Sequence, residues 1–344
     1  MLKKLKIPII FVSIGILLYS IGIIRQNGKT GKSRKKLEIV NVSYDPTREL
    51  YEKYNELFKE YYKEKYGKDI KIVQSHGGSG SQARSVIEGL DADVVTLALE
   101  NDVALLEKVE LLGKNWVNKF PGSSSPYTST IVFLVRHKNP KNIKDWDDLA
   151  KKGTQVITPD PKSSGGACWN FLAAWSYGQK KFGNDENRIQ NFVRAIYDNV
   201  TVMDSGARGA TTTFVENGQG DVLIAWENEA IATVKEYPEK YEIVYPSVSI
   251  LAQPTVAVVE KITQKNATYE VSEEYLKYLY SDKAQEIIAK SGYRPYNQKI
   301  LEKYKNKFNL NIKLTDINNF GGWKKAYEKF FNEGALFDKI YGKS

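Results

Sequence analysis

Cysteine is almost absent. Cys168 stands alone in 344 residues, so no intramolecular disulfide can form. Histidine is nearly as scarce. His76 and His137 are widely separated, and with one cysteine they make no cluster of metal ligands, so no metal site is expected. Acidic residues are missing from the first 36 positions, which hold nine of the 50 Lys and Arg. From Leu37 onward 41 basic residues face 41 acidic ones. The net charge of +9 therefore belongs to an N-terminal arm, and the rest lacks the basic bias of a nucleic-acid binder. No stretch reads G-x-x-x-x-G-K-[ST] or G-x-G-x-x-G, so a nucleotide reading is weak and no cofactor is expected.

What is present is a long apolar run at the start. "IPIIFVSIGILLYSIGII" follows "MLKKLK", the order of a positive n-region and an apolar h-region. Residues 1–24 are expected to be a signal peptide or an N-terminal membrane anchor, and residues 25–36 a basic flexible tether. The rest is long enough for about two domains.

Beyond Leu37 the chain alternates strand and helix patterns. "LEIVNVSY" alternates apolar and polar residues, and "PTRELYEKYNELFKEYYKEKYG" carries apolar residues at helical spacing. "DIKIVQS", "ADVVTLAL", "STIVFLVR", "TQVITPD", "VTVMD" and "DVLIAWE" read as further strands. Helical patterns separate most of them, which predicts an α/β fold with mixed, mostly parallel sheets. "SILAQPTVAVVE" is expected to run antiparallel to "TIVFLVR", and the tail from Ser272 to Tyr341 to be largely helical.

Three glycine-rich turns each join a strand to a helix: "SHGGSGS" (75–81), "KSSGGA" (162–167) and "DSGARGA" (204–210). Helix starts present unpaired N–H groups and the positive end of a dipole. Three aimed at one point would bind an anion. Any one of them alone reads as an ordinary N-cap. A hydrolase would need Ser79 paired with a base such as His76, yet no G-x-S-x-G elbow surrounds Ser79, Ser164 or Ser205, so no catalytic residue is assigned.

The segments "NVSYDPTRELY", "QSHGGSG", "PYTSTIVFLVR", "VITPDPKSSGGA" and "DSGARGATTTFVENGQGDVLIAWENEA" together resemble the periplasmic sulfate-binding proteins of ABC importers. The resemblance runs from about Leu37 to the C-terminus. It implies a type II periplasmic binding-protein fold, two α/β lobes with the ligand in the cleft between them. The expected lobes are 37–127 plus 254–344, and 128–253, with hinge strands near 128–133 and 249–257. The resemblance also implies a set of neutral donors to sulfate: the backbone N–H groups of Ser79, Gly165, Gly166 and Ala207, the hydroxyls of Ser79 and Ser164, and the indole of Trp226.

Around these, Asp45 and Asp102 are expected to orient site backbone or bridge the lobes, and His76 to hydrogen-bond within its loop. Asp204 reads equally as a helix cap or a supporting residue. Arg208 is expected to brace its turn or balance charge. Cys168 stands where the family carries arginine, which puts the local field in question. The implied partners are sulfate, with thiosulfate as a second ligand, and an ABC permease with its ATPase subunits. A monomer is expected, exported to the periplasm or held at the outer face of the cytoplasmic membrane, touching it only through the N-terminal segment. The competing readings are a receptor for molybdate, tungstate or phosphate, a serine esterase or sulfatase, and a purely structural cell-surface protein.

Overall fold

A computed structural model describes residues 37–342. The signal-or-anchor segment and the tether lie outside the described residues. Strand β1 (Leu37–Tyr44) leads through a short 3-10 turn into α1 (Arg48–Tyr66), then β2 (Ile70–Gly77), α2 (Ser79–Ile87), β3 (Val94–Leu97) and α3 (Glu100–Lys108). The chain crosses over through β4 (Tyr127–Thr128) into β5 (Ile131–Arg136) and β6 (Val156–Pro159). Next come α4 (Gly165–Phe182), α5 (Glu186–Asp198), β7 (Val200–Asp204), α6 (Ala207–Val215), β8 (Val222–Trp226), α7 (Glu227–Glu236) and β9 (Tyr241–Val244). It returns through β10 (Val248–Ile250) to β11 (Thr255–Val258), α8 (Tyr269–Tyr278), α9 (Asp282–Lys290) and β12 (Arg294–Pro295). It ends with β13 (Lys313–Thr315), α10 (Gly322–Phe330) and α11 (Leu336–Tyr341).

Two sheets result. The first has the order β11-β3-β1-β2, parallel except for β11; the second has the order β7-β6-β8-β5-β9, in which β5 runs antiparallel to both neighbours. Strand alternation buries both faces of the first sheet. Ile39 and Val94 meet Tyr51, Tyr54 and Phe58 of α1 on one side, while Val42 and Val95 meet Val86 and Leu106 on the other. The second sheet does the same, with Phe133 and Val135 against Trp169 and Leu172, and Val132 and Leu134 against Phe214.

The waist between the sheets is narrow. Ser129 and Ala252 exchange two backbone hydrogen bonds, of 2.9 and 3.0 Å, and the Ser249 hydroxyl donates to the Ile131 carbonyl at 2.7 Å. In place of the expected pairing of "SILAQPTVAVVE" with "TIVFLVR" there is this isolated bridge and a few side-chain hydrogen bonds from Thr130 and Ser249. Strand β5 pairs with β8 and β9 instead, and β11 completes the first sheet beside β3. The tail from Ser272 to Tyr341 divides between the two sheets. From Lys313 onward it follows the second sheet: β13 pairs with β10, Trp323 packs edge-on against Trp169 at 4.6 Å, and Phe330 and Phe337 both contact Phe171. Five buried aromatic or aliphatic side chains find their apolar partners there: Trp323, Phe330, Phe331, Phe337 and Ile340.

Beside the waist lies a buried ion pair. Arg294 of β12 grips Glu227, the residue after β8, through two hydrogen bonds of 2.7 and 2.9 Å. Neither side chain is more than 7% exposed. Breaking such a pair strands a charge, whereas replacing both partners with apolar groups does not. Arg294→Met is expected to lower unfolding free energy by about 3–5 kcal/mol, and Glu227→Leu with Arg294→Met to recover most of it, in urea denaturation at neutral pH. Equal losses in the single and double variants would contradict this.

Candidate functional site

Helices α2, α4 and α6 start at one place. Their N-cap residues are Gly78, Ser164 and Gly206, and none makes a side-chain capping bond. The first-turn N–H groups of three helices are therefore left without caps. Gly78 shows how closely the turns meet. A Cβ built on it would lie 2.6 Å from the Ser163 carbonyl oxygen and 3.1 Å from that of Ser205. Only a residue without a side chain allows that approach.

The turns line a small cleft with about 180 Å³ of empty space, its open mouth included. Its lining includes Ser79, Ser164, Gly166 and Ala207, together with Tyr44, Asp45, Pro46, Gly77 and Gly78. Gly165 lies beside this lining, packed on Ala98, Leu99 and Ser79. Trp226 stands at the edge. Its Nε1 is buried without a hydrogen-bond partner, and a Cβ on Gly166 would lie 2.6 Å from it. An orphaned indole N–H against a cavity wall is costly unless something accepts from it. So the structure brings together the residues of the three turns, and adds Trp226.

The hydroxyls divide. The Ser79 hydroxyl donates to Asp102 at 2.5 Å and accepts from the Ala98 N–H at 3.0 Å. With Asp102 ionised, Ser79 offers the cavity its backbone N–H and not its hydroxyl, a departure from the expected donor set. Ser164 lines the cavity with a hydroxyl that caps nothing. His76 is not Ser79's partner. Its Nδ1 is buried and unpaired, and burial, with Arg48 adding to it, pulls the ring's pKa down to about 4. The serine–histidine pair of a hydrolase is not assembled.

Charged groups surround the cavity but are mostly engaged with one another. Asp102 is held by Ser79, and burial pushes its carboxyl up to about 6. Arg208 bridges the two sheets' helices, donating to Glu49 of α1 at 2.7 Å and Glu229 of α7 at 3.1 Å. Burial pushes Glu229 up to about 7, against the pull of Arg208. Asp204 accepts from Thr213 at 3.1 Å and lies outside the cavity lining. Cys168 is buried, its thiol pushed up by burial and weakly donating to the Pro161 carbonyl at 3.4 Å. It is no nucleophile. Asp45 reaches the cavity itself, with Arg48 at 4.0 Å from its Oδ1. It lines the cavity from the first sheet, and a Cβ on Gly206 of the second would lie 2.6 Å from its Oδ2. Burial raises its carboxyl as well.

Sequence reading passed over Tyr44, Glu49 and Glu229. Tyr44 packs on the Trp226 ring at 5.3 Å and lines the cavity, yet as the last residue of an alternating strand it reads as core. The two glutamates become visible only once Arg208 is seen to reach both.

His76 gives the site a testable titration. Its folded pKa lies below the ordinary 6.5, so the neutral ring is the folded form. The stability this contributes is present above about pH 6.5 and is lost as pH falls toward 4. An NMR titration of the imidazole carbons should show His76 moving with a midpoint near 4. A midpoint near 6.5 would contradict the burial described.

Comparison with known proteins points the same way. The family model for bacterial extracellular solute-binding proteins matches residues 46–294. The sulfate-binding protein of Escherichia coli K12 is 56% identical over 313 residues, 90% of this chain and 95% of its own. The thiosulfate-binding protein of Pseudomonas aeruginosa is 44% identical over 90% of this chain and 94% of its own. Among solved structures, the sulfate-binding protein SubI from Mycobacterium tuberculosis H37Rv superposes with a TM-score of 0.78 at 31% identity, covering 86% of this chain and all of that one. Two α/β lobes, a cavity built from three helix starts and this degree of identity lead to one assignment: the chain belongs to the bacterial extracellular solute-binding proteins.

Proposed function

We propose that this protein is an extracytoplasmic receptor that binds sulfate and delivers it to an ABC permease for import. The observation that carries this is the meeting of three uncapped helix N-termini on one small cleft. The kinship with proteins named for sulfate binding supports the choice of anion. The proposed donors are the backbone N–H groups of Ser79, Gly165, Gly166 and Ala207, the hydroxyl of Ser164 and the indole of Trp226. Ser79's hydroxyl joins them only when Asp102 is protonated and no longer accepts from it.

Hydrogen bonds to a charged acceptor contribute about 1.5–3 kcal/mol each, so six give roughly 9–18 kcal/mol gross. Most of this offsets the anion's lost hydration and freedom. A micromolar dissociation constant needs only about 8 kcal/mol net. Peptide dipoles supply the field, and no lysine or arginine lines the cavity.

The lobes on this reading are 37–127 with 254–312, and 128–253 with the tail from Lys313 seated on it. The hinge is the Ser129–Ala252 waist. Closure would draw the α2 start onto those of α4 and α6, with Arg208–Glu49 linking the lobes at the rim. Export through the N-terminal segment and a monomeric state belong to the same proposal.

Asp45 favours a second reading. Sulfate only accepts hydrogen bonds near neutral pH, whereas hydrogen phosphate carries a proton that a carboxylate on the wall could accept. Calorimetric titration at pH 7.5 separates the two. Sulfate is expected to bind at micromolar concentration or below, and phosphate at least about 100-fold more weakly. Comparable phosphate affinity, lost in Asp45→Asn, would replace the sulfate reading with the phosphate one. Trp226→Phe is expected to weaken sulfate about 10- to 150-fold, the value of one hydrogen bond to a charged acceptor. Unchanged affinity in that variant would remove Trp226 from the donor set.

A further inference from the structure

Ala98, the residue after β3, is held from three sides. Its N–H donates to the Ser79 hydroxyl at 3.0 Å. Its carbonyl accepts from the Trp169 indole at 3.0 Å. Its Cβ faces Gly165, where an added Cβ would come within 3.0 Å of it. The same added atom would lie 2.8 Å from Leu99 Cγ and 3.0 Å from Ser79 Cβ. Two of the three helix starts therefore meet on one residue. Ser79 opens α2, and Gly165 opens α4, which also carries Trp169. Ala98 and Trp169 are both 0% exposed, and a hydrogen bond buried to that degree is costly to leave unmade.

Trp169 does not line the cleft, so its indole is not among the anion's donors. Its bond acts on the donors' spacing instead. Trp323, from the tail, packs edge-on against its ring at 4.6 Å and 85°, which fixes where the N–H points. Asn170, the next residue of α4, donates to the Thr158 hydroxyl at 3.0 Å and the Ile224 carbonyl at 3.1 Å. Helix α4 is thus clamped to β6 and β8 by Asn170, and to the end of β3 by Trp169. The first clamp sets Gly165 and Gly166 against Trp226, which ends β8. The second sets them against Ser79.

Fixed donors select by size as well as by charge. A spacing set for one tetrahedral oxyanion serves a larger one less well. Release of the second clamp lets the starts of α2 and α4 part, which costs the smaller anion more than the larger.

We propose that Trp169 is a positioning residue that determines specificity: its bond to the Ala98 carbonyl sets the spacing of α2 and α4 for sulfate against larger tetrahedral oxyanions. This deepens the receptor reading above and rests on it. Selenate is the probe, since it too is fully deprotonated near neutral pH and is the larger ion. Both anions are titrated by calorimetry into the parent and into Trp169→Phe at pH 7.5. Phenylalanine keeps a ring against Trp323 and removes the N–H. The variant should bind sulfate about 5- to 10-fold more weakly, and its sulfate-to-selenate affinity ratio should fall about threefold or more. An unchanged ratio overturns the proposal, whether both affinities fall together or neither does. A measurement on the parent stands beside the variant. Exchange of the indole N–H groups is followed by NMR with and without sulfate. Trp146, whose indole donates to the Val248 carbonyl at 2.9 Å, is the reference. Sulfate should slow exchange at Trp169 about tenfold more than at Trp146, because it draws the two helix starts together locally. Equal slowing at both also overturns the proposal. A parent that binds neither anion overturns the receptor reading and this inference with it. A parent that binds sulfate, beside a variant with the same ratio, overturns this inference alone.

Discussion

The approach of Gly78 to the carbonyl oxygens of Ser163 and Ser205 is the contact on which the cavity depends. It lets the start of α2 stand against the starts of α4 and α6. Three positive dipole ends at such range repel one another, and their uncapped N–H groups lie where water is largely excluded. The cost falls when a compact anion takes the centre. On the receptor reading, an anion at that point lowers the cost of holding the three helix starts together.

The surrounding side chains keep full charges away from that centre. Arg208, the residue after Ala207, donates to Glu49 and Glu229. Asp102 is satisfied by the Ser79 hydroxyl, which spares the anion a bare carboxylate behind the α2 turn. Cys168 occupies a position that is arginine in the resembled family, and here it is a buried apolar neighbour without charge. The field at the cavity thus rests on peptide groups, which cannot be neutralised by pH. Only Asp45 breaks the pattern, and it does so from the turn after β1.

Support for the indole comes from further out. Trp226 ends β8, and the next residue is locked by Arg294 in a pair buried beside the waist. Tyr44 packs against the ring from the end of β1. The waist itself carries few bonds, the Ser129–Ala252 exchange and the Ser249 hydroxyl among them. A rigid donor set on a compliant joint is what a receptor that opens and closes requires.

Much of this was legible along the chain. β1 and β7 fall on the expected residues, and the three glycine-rich turns each open a helix. Such features are written in short windows, in alternation, helical spacing and turn chemistry. Helix α5 went unread because its apolar residues Ile189, Phe192, Val193 and Ile196 are diluted by polar ones, and the tail's long helical stretches each split in two. Pairings between distant segments were beyond such windows. Nothing local says that β11 joins β3 rather than β5, or that Trp323 packs on Trp169. The same limit holds for the site. Residue type and spacing marked Ser79, Ser164 and Ala207 as helix starts able to hold an anion. That the starts meet at one cavity, that Ser79 turns its hydroxyl to Asp102, and that Asp45 enters from the turn after β1 were decided by packing, which sets distances between residues far apart in the chain.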